Sequence, residues 1–194
     1  MRMRELAAVM AGVTFGMAVM PDMTVLAADN NMDYRRKVVG IAGIMNNTST
    51  GLNDPVTRAE FANMLVKAST YRDYLPATSS VSVYADVPAT AQYASSIRIA
   101  AEQNWITGYL GGLYKPDQSI TLQEAARGIL ALLGYTSEDF GSSLSSARMA
   151  KFYTLELNEN LDRQPNEVLN RSDCINLFYN LLKTDSKTTG KAYA

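Results

Sequence analysis

Apolar and polar positions alternate with helical spacing in three stretches of this chain, and the three run in the same frame. VTRAEFANMLVKAS begins its pattern at Thr57 with Glu60 three residues later, and ITLQEAARGILALLG does the same with Thr121 and Glu124. LNRSDCINLFYNLL offers Asn170 and Asp173 at the same separation. A capping side chain followed three residues on by an acid can satisfy two otherwise unpaired amides at a helix start. Counted from each cap, apolar residues fall four on at Phe61, Ala125 and Cys174, eight on at Leu65, Ile129 and Phe178, and eleven on at Ala68, Leu132 and Leu181. That spacing lines one side of an α-helix, and Gly134 is placed to end the second one.

A further helical pattern precedes each start. DYRRKVVGIAGIM sets Val38, Ile41, Ala42 and Met45 on one side; YASSIRIAAEQNWI sets Ile97, Ala100, Ala101 and Trp105; SSARMAKFYTLEL sets Met149, Ala150, Tyr153 and Leu157. Between the paired patterns lie the turn-forming stretches NNTSTGLNDP, TGYLGGLYKPDQS and NENLDRQPNEV. The chain therefore reads as helix, loop, helix three times over, with caps 64 and 49 residues apart. A two-helix unit cannot bury its own apolar side, so three such units are expected to share one centre in an all-α fold.

The amino terminus carries a different signal. Arg2 and Arg4 precede an apolar run from Leu6 to Met20, which Pro21 breaks before the small residues Val25, Ala27 and Ala28. This is the layout of a secretory signal peptide cleaved after Ala27 or Ala28. The run is short for a membrane span, and no later stretch is apolar enough to be one.

Composition narrows the function classes. With 18 basic and 19 acidic residues in 194, the chain has no electrostatic footprint for nucleic acid. A single cysteine, Cys174, cannot form an internal disulfide and reads as an inert buried thiol. The absence of histidine removes Ser-His-Asp and Cys-His nucleophiles and the commonest zinc ligand. The best-placed acids are committed to caps and turns, which leaves no pair for glycosidase chemistry. A binding module is expected rather than an enzyme, with no cofactor and no metal.

In these motifs the chain resembles the S-layer homology (SLH) modules of bacterial surface proteins. Tyr84-Ala85-Asp86-Val87 is similar to the aromatic-x-Asp-Val opening of such a module, and Ile106-Thr107-Gly108-Tyr109 to its I-x-G-Y turn. Gly112-Leu113-Tyr114-Lys115-Pro116 resembles the G-x-aromatic-x-Pro segment before the helix start at Ile120-Thr121. Thr57-Arg58-Ala59-Glu60 is the T-R-A-E signature, and Asn170-Arg171-Ser172-Asp173 a variant of it. The resemblance spans residues 34–184 and implies a pseudo-threefold, three-pronged spindle of three repeats at 28–70, 81–137 and 138–184. A signal peptide over 1–27 would precede them, and a polar tail or linker start over 185–194 would follow.

It further implies non-covalent anchoring at the cell wall, by binding an anionic, often pyruvylated, secondary cell-wall polysaccharide in grooves between repeats. The expected location is the secreted, wall-bound surface layer, with a C-terminal cargo or S-layer subunits as further partners. Two alternatives stand beside this: a protein-interaction module of surface-layer assembly, and binding to modified peptidoglycan itself. The sequence departs from the family at Leu122-Gln123, where Arg-Ala is usual; repeat 1 lacks the aromatic-x-Asp-Val opening, and repeat 3 lacks the Gly-Tyr turn and the glycine pair. At most two grooves are therefore expected to be equipped.

The candidate ligand contacts follow from residue chemistry. Gly108, Gly111 and Gly112 allow positive φ and close backbone approach, and the next helix start is expected to offer unpaired amides to an anion. Arg58 and Arg171, at first helical positions where a cation opposes the helix dipole, are expected to grip a carboxylate or phosphate. Tyr109 and Tyr114 offer aromatic surface for a sugar face. Glu60, Glu124 and Asp173 read as capping acids, with Glu60 and Asp173 among the candidate contacts. Asp86 either caps the turn before Pro88 or contributes to a groove, and Trp105 reads as core or groove wall.

Overall fold

The computed structural model describes residues 31–46, 48–141 and 143–194, so the leader expected over 1–27 lies outside the described residues. Among them are six α-helices: α1 (Met32–Ile41), α2 (Arg58–Lys67), α3 (Ala94–Glu102), α4 (Leu122–Leu132), α5 (Leu144–Thr154) and α6 (Arg171–Lys183). Two 3₁₀ turns, Thr70–Tyr74 and Ser137–Phe140, complete them, and the fold is all-α.

Capping boxes start α2, α4 and α6. The amides of Thr57, Thr121 and Asn170 donate to the carboxylates of Glu60, Glu124 and Asp173 at 2.8, 3.1 and 2.9 Å. The amides of those acids donate back to the cap side chains at 3.2, 3.4 and 2.9 Å. The residues just before the caps are tied to one another. Val56 N donates to Leu169 O, Leu169 N to Ile120 O, and Ile120 N to Val56 O, at 3.0, 2.9 and 2.9 Å, which closes a three-membered ring of backbone bonds.

Around that ring the helices pack α2 on α3, α4 on α5 and α6 on α1, while α2 also meets α4. α2 and α4 thus each lie against the helix that follows them in the chain, and α6 lies against α1. The residues four and eight after the caps are buried in all three helices, with the Phe61 and Phe178 rings 5.5 Å apart. Each such large side chain contributes about 1.5–3 kcal/mol through burial.

The leading helix α1 faces inward one position away from the predicted side, and α5 buries Met149 as predicted but turns Phe152 inward in place of Tyr153. In α1 the buried residues are Arg35 and Val39, and Ile41 is exposed. Arg35 is drawn inside by side-chain oxygens of α6, donating to Asn180 at 3.0 Å and Asn176 at 3.4 Å, with Glu159 at 3.3 Å. In α5 Met149 and Phe152 are buried, and Tyr153 faces out.

The segment 185–194, expected to begin a linker, is docked. Lys187 N donates to Leu133 O at 2.9 Å, and the Tyr193 hydroxyl donates to Ala68 O at 3.0 Å. The tail therefore joins the ends of α2 and α4, because it supplies donors to carbonyls that those helices leave open.

Candidate functional site

The loop before α4 turns back on itself between Tyr109 and Leu113, where Tyr109 N donates to Leu113 O at 2.6 Å. Gly111 and Gly112 make this possible with φ of 83° and 73°, a region costly for residues with a Cβ. Gly108 serves close packing instead: a Cβ there would collide with the Tyr84 ring and lie 2.9 Å from Leu113 O. Asp86 fixes the base of the loop by accepting from the amides of Tyr114 and Lys115 at 2.8 and 2.7 Å. Desolvation pushes the Asp86 pKa up, but these amides, its own amide and the Arg58 charge together outweigh it, so the carboxyl titrates below its usual range. Asp86 is thus a clamp on the loop, which is neither of its two expected roles.

Arg58 projects from the first turn of α2 into this loop and is only 3% exposed. Its Nε donates to Tyr114 O at 2.9 Å, one terminal nitrogen donates to Thr107 O at 2.7 Å, and the other pairs with Glu124. The guanidinium carbon lies 4.5 Å from the centre of the Tyr114 ring and 4.9 Å from that of Tyr109. A buried cation opposing a helix dipole is tolerated here because carbonyls, a carboxylate and two ring faces surround it.

A cleft of about 280 Å³ opens beside this arginine, between α2, the loop, α4 and α5. Of the predicted contacts, Arg58, Gly108, Tyr109 and Tyr114 line it, joined by Glu124. Tyr109 is 36% exposed, and its hydroxyl donates to Glu124 at 2.9 Å and accepts from Gln118 Nε2 at 3.1 Å. Burial, then the Glu124 carboxylate, raises the Tyr109 pKa, so it stays a neutral phenol. Tyr114 cannot present a ring face as expected. It is 1% exposed, stacked on Tyr84 at 5.2 Å, with its hydroxyl donating to Arg58 O at 2.7 Å.

The unpaired helix-start amides expected here are not free. Leu122 N donates to Glu167 O and Gln123 N to Pro165 O at 3.0 and 2.8 Å, while Glu124 N is taken by Thr121. The same pattern recurs at Arg58 and Ala59, which donate to Gln118 O and Pro116 O, and at Arg171 and Ser172, which donate to Asp54 O and Leu52 O. Gly111, Gly112, Asp86 and Asp173 do not line the cleft; Asp173 accepts from Arg163 Nε at 2.8 Å besides its cap.

The remaining two predicted residues, Glu60 and Arg171, meet in a smaller cleft of about 70 Å³. There Arg171 donates to Asn46 O at 3.0 Å, as Arg58 does to Thr107. Six residues after the third cap, Asn176 is engaged by the buried Arg35. Leu122, the position where the family usually has arginine, is fully buried.

Sequence reasoning passed over Arg127 and Arg148, which line the cleft beside Arg58 from α4 and α5. The available signal was positional: six residues after the cap the other two helices carry Asn63 and Asn176, and this one carries an arginine. Burial lowers the pKa of both, and at Arg127 the like charge of Arg148 lowers it further.

Comparison with known proteins gives a consistent picture. Residues 83–126, which include the loop and the start of α4, match the family model described as the S-layer homology domain. The chain is 26% identical over 151 residues to the Middle cell wall protein of Brevibacillus brevis, covering 78% of this chain and 14% of that protein. It is 28% identical over 101 residues to the Surface layer protein of Brevibacillus choshinensis, covering 52% of this chain and 9% of that one. The chain thus spans about a tenth of the length of these relatives.

Proposed function

We propose, from the match of residues 83–126 to the S-layer homology domain, that the chain is a non-covalent anchoring module of the cell surface. It holds a wall polysaccharide in the cleft that the first two of three repeats, 28–70, 81–137 and 138–184, form with the start of the third, the three arranged as a three-pronged spindle. The three capping boxes and the closed ring of backbone bonds support that arrangement.

The observation that carries the reading is the cleft beside Arg58 itself. It offers the half-exposed Tyr109 ring for an apolar sugar face, the Tyr109 hydroxyl, Glu124 and Gln123 for sugar hydroxyls, and an excess of arginine for an acidic substituent.

Co-sedimentation of the purified protein with cell-wall sacculi tests the reading, with intact sacculi compared to sacculi stripped of secondary polymer by acid. Binding that disappears on stripping is expected. Undiminished binding to stripped walls would move the target to peptidoglycan, and binding to neither would favour a protein partner in the surface layer.

A further inference from the structure

Of the three arginines that line the cleft beside the α4 loop, Arg127 and Arg148 stand out because they are partly buried and nothing described balances their charge. Arg58 is paired with Glu124, and Arg35 with Glu159. Arg127 makes one long hydrogen bond, from a terminal nitrogen to Asn104 O at 3.4 Å, and its Nε is buried with no partner among the described residues. Arg148 lies with its guanidinium carbon 5.6 Å from the centre of the Phe140 ring. Neither forms an ion pair among the described residues. The one acid lining the cleft beside Arg58, Glu124, is already shared by Arg58, Thr121 and Tyr109. Two like charges held side by side, half-buried and unneutralised, cost stability unless something compensates them.

Both arginines also line a second cleft, of about 400 Å³, with Trp105, Tyr135 and Phe140 in its wall. Its own acid, Glu138, pairs with neither arginine. The two clefts therefore share a boundary, and the arginines form it.

We infer that Arg127 and Arg148 are the anion seat of this module: together they bind one carboxylate or phosphate of a chain-like ligand that passes from the cleft beside Arg58 across them into the aromatic-walled one. This rests on the wall-polysaccharide reading for the rest of the ligand, and it assigns the acidic group to these two side chains instead of to Arg58, whose donors are committed to the fold. Planar guanidinium groups suit such a group because each can present two parallel N–H donors.

Two experiments separate this inference from the reading it rests on. In the first, nitrogen-15-labelled protein is titrated with acetate and with inorganic phosphate at low salt, following the arginine Nε–H resonances. Saturable shifts at Arg127 and Arg148 that vanish in R127Q/R148Q and persist in part in R127K/R148K are expected. No shift at either, or shifts unchanged in R127Q/R148Q, would overturn the inference.

In the second, the same variants are sedimented with sacculi. R127Q/R148Q is expected to bind at least about tenfold more weakly, with a flatter dependence on salt. Equal sedimentation would overturn the anion seat while leaving wall binding intact. Conversely, small-anion binding at the pair without sacculus binding would support the seat and overturn the wall reading. Sacculi with carboxyls amidated, compared with sacculi freed of phosphodiesters by hydrofluoric acid, show which anion is read; binding undiminished by either treatment counts against the seat. Circular dichroism checks each variant, and R148Q alone, at the more open of the two positions, serves if the double substitution fails to fold.

Discussion

Replacing Arg58 by methionine distinguishes a ligand arm from a piece of the scaffold. Methionine keeps an apolar stem between the rings of Tyr109 and Tyr114 but removes every donor. It leaves the carbonyls of Tyr114 and Thr107, accepting at 2.9 and 2.7 Å in the native protein, without their partner. An orphaned buried acceptor costs about 1–3 kcal/mol, and removing one member of a buried ion pair about 3–5 kcal/mol. Glu124 is 27% exposed and keeps its bonds to Thr121 and Tyr109, so the low end applies. The expected loss is about 3 kcal/mol, which for a domain of this size lowers Tm by about 6–12 °C. Urea unfolding followed by circular dichroism measures it, with R58K expected to fall between wild type and R58M. An unfolding free energy unchanged in R58M, together with lost wall binding, would refute this reasoning and return Arg58 to the role of a ligand arm.

Three further outcomes are expected. G108A should destabilise the protein more than G112A, because the first meets the Tyr84 ring and a backbone carbonyl while the second meets open space and carries only the left-handed φ penalty of about 1 kcal/mol; paired thermal melts check the order. Burial, only partly offset by Arg72, raises the Tyr193 phenol from 10.0 to about 12, so the folded state holds the proton more tightly. The stability this provides is complete below pH 10 and is lost as pH rises toward 12; because the phenols of Tyr84, Tyr109 and Tyr114 are raised as well, Y193F should lessen the alkaline loss in unfolding curves without abolishing it. Burial also pushes the Cys174 thiol well up, so it should resist a thiol-reactive disulfide reagent until the chain unfolds; rapid labelling of the native protein would contradict its burial.

The parts of the structure legible in the sequence are those decided within one turn of helix. Thr57, Thr121 and Asn170 announce their helices because cap and acid lie three residues apart, and the apolar offsets behind them follow helical geometry alone. What the sequence hid depends on partners far along the chain. Arg35 is inside because Asn176 and Asn180, over 140 positions away, receive it, and that rotates α1 away from its most hydrophobic side. Tyr114 reads as a sugar platform until Arg58 and Tyr84 are seen to enclose it. Arg127 and Arg148 become a pair only when α5 packs on α4, so no local pattern joins them.

The ring through Val56, Ile120 and Leu169 bears on how the molecule folds. A linear array of helical repeats can gain or lose units at its ends, since each unit answers only to its neighbours. Here Val56, Ile120 and Leu169 each give a backbone donor to one of the other two and accept from the remaining one, so none of the three helix starts stands at an open end of the ring. A fragment with two of the three capped helices would leave one donor and one acceptor of the ring unmatched. Closing the ring requires α6 to reach α1 across most of the described chain, so folding is expected to be a single cooperative transition, which coincident denaturation curves from different probes would check.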